Sequence, residues 1–264
     1  VQHPHRGLVD AVRGIAEAYG TEFANLTVPL VKSTFSGNRD DWFLTNLQAV
    51  RGPTEVSGML RYSVRTGGIS GSGAIARLQL ADVLGEEAIG RIDAPMITIG
   101  GTLQKPTVTA EVSGENVVVA DVRANDIRGL VTLANSKVSV FGLNASVFGG
   151  KVQVDGNYDL KTRLGTATAS ASNISLKDVS TETVDILDAS GTFGGTAKAN
   201  IAAGQLTTAT LKGDVQELVF NGTPIGGGDV NASIVDGVVK GDLALGQLDR
   251  FVEASVDAYD IESK

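Results

Sequence analysis

Most of this chain repeats at a period of two residues, and that constrains its fold more than any other feature. In TVTAEVSG, Val108, Ala110 and Val112 fall on one side, with Thr107, Thr109 and Glu111 on the other. KVQVDGNYDL sets Val152, Val154, Tyr158 and Leu160 against Lys151, Gln153, Asp155, Asn157 and Asp159. MLRYSVR does the same around Leu60, Tyr62 and Val64, and AIARLQL places Ala74, Ala76, Leu78 and Leu80 together. AKANIAA aligns Ala197, Ala199, Ile201 and Ala203, and FVEASVDAYD aligns Val252, Ala254, Val256 and Ala258. Successive side chains on a strand point to opposite faces, so this is one-sided strand patterning. Roughly 14 to 16 strands at about 4.8 Å each predict a single sheet on the order of 70 Å long.

Turn dipeptides separate these segments. Asp236-Gly237, Asn221-Gly222, Gly67-Gly68 and Gly149-Gly150 all suit hairpins. Their spacing is irregular, which points to a hairpin array rather than a solenoid of fixed repeat. Two stretches break the period. LADVLGEE, from Leu80 to Glu87, reads as a short helix. GLVDAVRGIAEAYGTEF places Leu8, Val12, Ile15, Tyr19 and Phe23 three and four residues apart, which predicts one N-terminal helix over Gly7 to Tyr19. A boundary near Gly52-Pro53 divides residues 1–52, with the helix and leading strands, from residues 53–264, a repetitive β-hairpin segment. The fold class expected is mainly all-β.

The functional classes narrow by chemistry. A net charge of -8 with no basic stripe argues against nucleic acid. There is no cysteine, which removes thiolate catalysis and disulfides. No stretch approaches the roughly 18 apolar residues of a membrane span. The first residue is Val1, not Met, which is expected of a piece of something longer. GSGAIA, from Gly71 to Ala76, matches a dinucleotide-binding glycine pattern, but period-two residues follow where a helix is required. The only histidines are His3 and His5. The acids Asp155, Asp159, Asp178, Asp185 and Asp188 read as a solvated face. No catalytic constellation, cofactor motif or metal site emerges, and the chain is not expected to be an enzyme.

Glycine is abundant (33 residues), and aromatics make up only 5%. With Gly149-Gly150 as the turn, Gly156 leaves a gap on an apolar face between Val154 and Tyr158. Two accounts compete. Small residues allow two sheets to approach closely around a thin closed core. Alternatively they line an open trough with room for an acyl chain, since a long exposed apolar surface demands a ligand or partner.

Two stretches carry a resemblance: GSGAIARLQLADVLGEEAIGRIDAPMITIGGTLQKPTVTAEVSGENVVV (71–119) and VFGGKVQVDGNYDLKTRLGTATASASNISLKDV (147–179). The first resembles a recurring run of strand, short Leu-Ala-Asp segment, Gly-Thr-Leu-x-x-Pro and strand. The second resembles a Gly-Gly hairpin followed by an Ala-rich strand and an Asn-Ile segment. Residues 53–261 are similar to the repetitive β-region of the TamB family (translocation and assembly module) and its AsmA-like relatives. The resemblance implies a long antiparallel sheet curled into an open U-shaped groove, a β-taco. It implies phospholipid transport between inner and outer membranes, in the periplasm of a diderm bacterium, with a role in outer-membrane biogenesis. It further implies an outer-membrane assembly partner of the TamA or BamA kind, no catalytic residues, and membrane contact through parts of a parent protein absent here. On this reading the groove is lined by Leu60, Tyr62, Val64, Leu78, Leu80, Val108, Ala110, Val112, Val152, Val154, Gly156, Tyr158, Leu160, Ile201, Val252 and Val256. The alternative is a structural or adhesive β-solenoid with a closed core and no lipid role.

Overall fold

A computed structural model describes residues 12–23, 26–84, 88–119, 122–183, 188–235, 238–247 and 250–260. The first five strands are β1 (Val12–Phe23), β2 (Leu26–Gly37), β3 (Asp41–Arg51), β4 (Thr54–Ser63) and β5 (Ile69–Gln79). A short helix α1 (Ala81–Leu84) leads to β6 (Ile89–Gly101), β7 (Pro106–Val119), β8 (Val122–Ala134), β9 (Lys137–Val147), β10 (Gly150–Asp159) and β11 (Leu164–Ser175). After helix α2 (Leu176–Thr183) come β12 (Ala189–Ala202), β13 (Gln205–Phe220), β14 (Thr223–Val235), β15 (Val238–Gln247) and β16 (Arg250–Asp260). Every strand pairs with the next in the chain, and β1 and β16 form the two edges. The pairings are antiparallel throughout, so the result is one sixteen-stranded meander that does not close on itself. Among the described residues the strands form this single meander and show no stacked coils.

The N-terminal helix is corrected. Residues 12–23 form β1, with Val12 opposite Gly37, Ile15 opposite Thr34 and Tyr19 opposite Leu30; residues 7–11 lie outside the described part. Gly14 and Gly20 each disfavour a helix, while Val, Ile, Tyr, Thr and Phe suit a pleated surface. Pairing with β2 then outweighs the apparent helical spacing. Across Gly52-Pro53, β3 pairs with β4 as other neighbours do.

The hairpins follow the turn chemistry. Asn221 and Gly222 both have positive φ, 48° and 74°, as a type I′ turn requires. The β9–β10 turn uses Phe148 and Gly149, with φ of 47° and 72°, and Gly150 opens the strand. The turn is thus one residue earlier than the Gly-Gly pair. Asp236-Gly237 lies outside the described residues, although Val235 pairs with Val238 on either side of it.

Period two is interrupted by bulges. Asn46, Arg77, Asn116, Asp126, Gly142, Asn173 and Glu217 have positive φ inside or beside strands. Each sits where the register shifts or the ladder loses pairs. The bulge at Arg77 corrects one expectation: Ile75 pairs with Ala94 and Leu78 with Ile92. Ala74 and Ala76 therefore stand opposite Ser57 and Glu55, away from Leu78. An extra residue in one strand reverses the alternation beyond it.

Both helices lie at one margin, because both follow odd-numbered strands of an antiparallel meander. Beneath α1, Leu80, Ala88, Val117 and Ile127 form a buried cluster with Ile92, Ala124, Leu143 and Ala145 around it. α2 lies against β12 and β11. Its start is a capping box in outline: the Asp178 N–H donates to Ser175 Oγ at 3.2 Å. Nearby, Ile174, Val215 and Leu245 are buried along one transverse row through Phe193 and Gly228.

Candidate functional site: the apolar face of the sheet

Strand register assembles one apolar face from residues far apart in sequence. A central row runs Leu47, Gly58, Gly73, Ile97, Ala110, Val131, Val140, Gly156, Ala167, Ala199, Ala209 and Ile234. The row beside it runs Leu44, Leu60, Gly71, Ile99, Val108, Leu133, Val138, Tyr158, Gly165 and Ile201. Along β4 and β7 the residues of these rows are half-buried while their alternates are exposed. No large side chain among the described residues is fully enclosed.

The chain exposes 17,711 Å². A compact monomer of 27.2 kDa would expose about 10,900 Å². The excess follows from one layer: beyond the helices, the extensive contacts described are between consecutive strands. The described residues supply no second sheet against the apolar face.

The face economises on exposed area by laying large side chains over neighbouring glycines. A Cβ on Gly37 would stand 2.5 Å from the Trp42 ring, one on Gly14 2.7 Å from Phe35, and one on Gly165 2.8 Å from Tyr158. Phe193 covers Gly195 in the same way. Gly156 differs. A Cβ there would meet Thr166 O at 2.9 Å and Ala167 beyond it, both in β11 of the same sheet. The gap at Gly156 is a close approach of neighbouring strands, with Val140 on its other flank.

Of the expected lining, Leu60, Tyr62, Leu78, Val108, Ala110, Val112, Val152, Val154, Gly156, Tyr158 and Ile201 share this face. Leu80 is buried at the α1 end of this face, in the cluster that packs against Ile92, Leu143 and Ala145. Val64 and Leu160 stand in hairpin connections, 46% and 52% exposed. Val252 and Val256 pair with Leu245 and Gly241, but their side chains lie outside the described residues. Sequence reading missed Ile97, Val131, Val140, Ala167 and Ile234, because membership of a row depends on inter-strand register.

The opposite face is mainly polar and braced, although Ile15, Phe43, Met59 and Phe141 are exposed among its charged side chains. Arg61 makes two hydrogen bonds to Asp41, at 3.1 and 3.0 Å, and lies over the Phe43 ring. Arg77 pairs with Glu55, and Lys32 with Glu17 at 3.1 Å. Three bulges are tied from the next strand. The Arg77 N–H donates to Asp93 Oδ1 at 2.6 Å, Asn116 N–H to Asn125 Oδ1 at 3.1 Å, and Gly142 N–H to Asp155 Oδ1 at 2.7 Å. A depression of about 760 Å³ on this side mixes Arg77, Arg91 and Arg128 with Asp93, Glu111, Glu115 and Asp126, so its charges offset one another. Among the described residues, no three His, Cys, Asp or Glu side chains gather as a metal site. The GSGAIA stretch is part of strand β5.

No protein-family model, curated protein or solved structure matches the chain.

Proposed function

We propose that the apolar face is the wall of a lipid conduit. The observation carrying this reading is the uncovered apolar surface, in a chain exposing 17,711 Å². Apolar area on that scale is unfavourable in water at roughly 25 cal/mol per Å², and soluble monomers rarely leave large contiguous patches bare. The rows lined by Val, Ile, Ala and Gly offer a smooth aliphatic surface with few polar atoms, which suits acyl chains rather than a polar ligand. The bulges bend and twist strands. Several fall between the central rows and the helix-bearing margin, which favours curling of the sheet into an open U-shaped groove, with α1 and α2 at one rim.

On this reading the chain is a segment of a TamB-like or AsmA-like protein of the diderm cell envelope. It carries phospholipid through the periplasm and works with an outer-membrane assembly protein of the TamA or BamA kind. The edges at β1 and β16 are open to pairing with a further strand, since bare sheet edges invite it.

Native mass spectrometry of the chain purified from membranes tests the proposal. The expected result is a ladder of phospholipid adducts released on activation. A lipid-free chain, at its own mass under conditions that preserve known lipid complexes, would overturn it.

A further inference from the structure

The margin opposite the helices carries a compact amphipathic tip. Leu160, Leu164 and Leu206 are 52%, 53% and 48% exposed at the ends of the β10–β11 and β12–β13 hairpins. Lys161 and Arg163 lie between the first two, and Lys137 opens β9 in the adjacent hairpin. The three hairpins are tied together. Leu160 N–H donates to Ser136 O at 2.8 Å, Leu164 pairs with Ala202, and Arg163 Nη2 lies against Gly204. From Lys137 in β9 to Leu206 in β13 the tip spans four strand spacings, about 19 Å. The nearby acid, Asp159, is turned inward: its Oδ1 accepts from the Lys161 and Thr162 N–H groups at 2.8 and 2.9 Å. The tip therefore presents aliphatic side chains and cations on a chain whose net charge is -8. The helix-bearing connections of the other margin carry the acids Asp82, Asp178 and Asp188 among the described residues.

We propose that this tip docks on the surface of an anionic phospholipid bilayer. Leu160, Leu164 and Leu206 enter the interface, while Lys137, Lys161 and Arg163 lay their stems along it and meet lipid phosphates. Aliphatic side chains beside long cationic ones are the composition that binds such surfaces, by burial plus attraction to anionic lipid. The acidic opposite margin is repelled, so the docked orientation is set by charge. This departs from the expectation that other parts of a parent protein make all membrane contact, and it does not depend on lipid occupying the apolar face.

The test is flotation of the 264-residue chain with vesicles of phosphatidylcholine alone and with phosphatidylglycerol added. Binding is expected only to the anionic vesicles, and it weakens with salt. Each cation near such a surface contributes about fivefold, from roughly 1 kcal/mol apiece. K161E/R163E should therefore weaken binding by more than about tenfold, L160S/L164S should weaken it too, and I89S on the other margin should not. The chain has no cysteine, so an environment-sensitive dye on L164C gives a second readout if either double variant folds poorly. Its emission should shift blue with anionic vesicles, and that of I89C should not. Absence of flotation, equal losses from I89S, or self-association through the tip without vesicles would each overturn the proposal.

Discussion

Asp155 of β10 accepts a hydrogen bond from the backbone N–H of Gly142 in β9 at 2.7 Å. The contact sits where Phe141 and Gly142 occupy the space opposite one β10 residue, between the pairs Leu143–Val154 and Val140–Gly156. Gly142 adopts φ +54°, and its N–H is displaced from the ladder. The carboxylate holds the bulge, and the bulge returns Leu143 to the apolar face while Phe141 stays on the polar one. Asp155→Ala should cost about 1–3 kcal/mol, the usual range for leaving a buried donor without a partner. Asp155→Asn keeps an acceptor and should cost much less. Urea unfolding of the two variants against the parent checks the difference. Equal losses would mean that the hydrogen bond is not what holds the bulge.

Gly37 and the chain's single Trp, Trp42, form the clearest of the glycine seats. Gly37→Ala would place a methyl 2.5 Å from the indole ring, forcing the ring outward. A red shift in Trp emission is expected, with a stability loss of about 1–3 kcal/mol, as for other overpacked sites. An unshifted spectrum at full stability would show that the ring does not rest on the glycine.

Asp159 has a pKa held below its usual 3.8, first by the Thr162 N–H and then by that of Lys161. A depressed folded-state pKa stabilises the β10–β11 turn fully above the unfolded value of about 3.9, and that stabilisation is lost as pH falls through the folded value. An NMR titration should give an Asp159 carboxyl midpoint below 3.8, with the Thr162 amide shift following the same curve. In Asp159→Asn the Thr162 amide should lose that acid transition. A midpoint at or above the ordinary value would contradict the turn geometry.

The strands and many turns are legible in the sequence, because period two and dipeptides such as Asn221-Gly222 are local signals. The bulges are only partly so. Asn46, Asn116, Asp126 and Asn173 each precede an apolar residue, Leu47, Val117, Ile127 and Ile174. Asn and Asp tolerate positive φ better than other residues with side chains, so an Asx-apolar step inside a strand is a usable sign of a bulge. Arg77 and Glu217 carry no such sign, and the error over Ala74 and Ala76 follows from that. The β1 segment misleads because helical spacing arises there by coincidence, whereas its glycines and β-branched residues point the right way. Helix α2 was not expected from the sequence, although Ser175 and Asp178 stand at the spacing of a helix cap. The apolar face as a whole depends on which strand lies beside which, and Leu160 shows the limit: alternation places it on the face, but the turn takes it to the tip.

A photocrosslinker placed in turn at Val154 and at Gln153, followed by mass analysis of the products, separates an open lipid-bearing face from a covered one. Crosslinking is done on the chain as purified from membranes. Phospholipid-mass adducts are expected at Val154 and not at its neighbour Gln153, which belongs to the polar face. Crosslinks from Val154 to a distant peptide of the same chain, with no lipid adduct, would mean that protein covers the face and that the conduit does not exist.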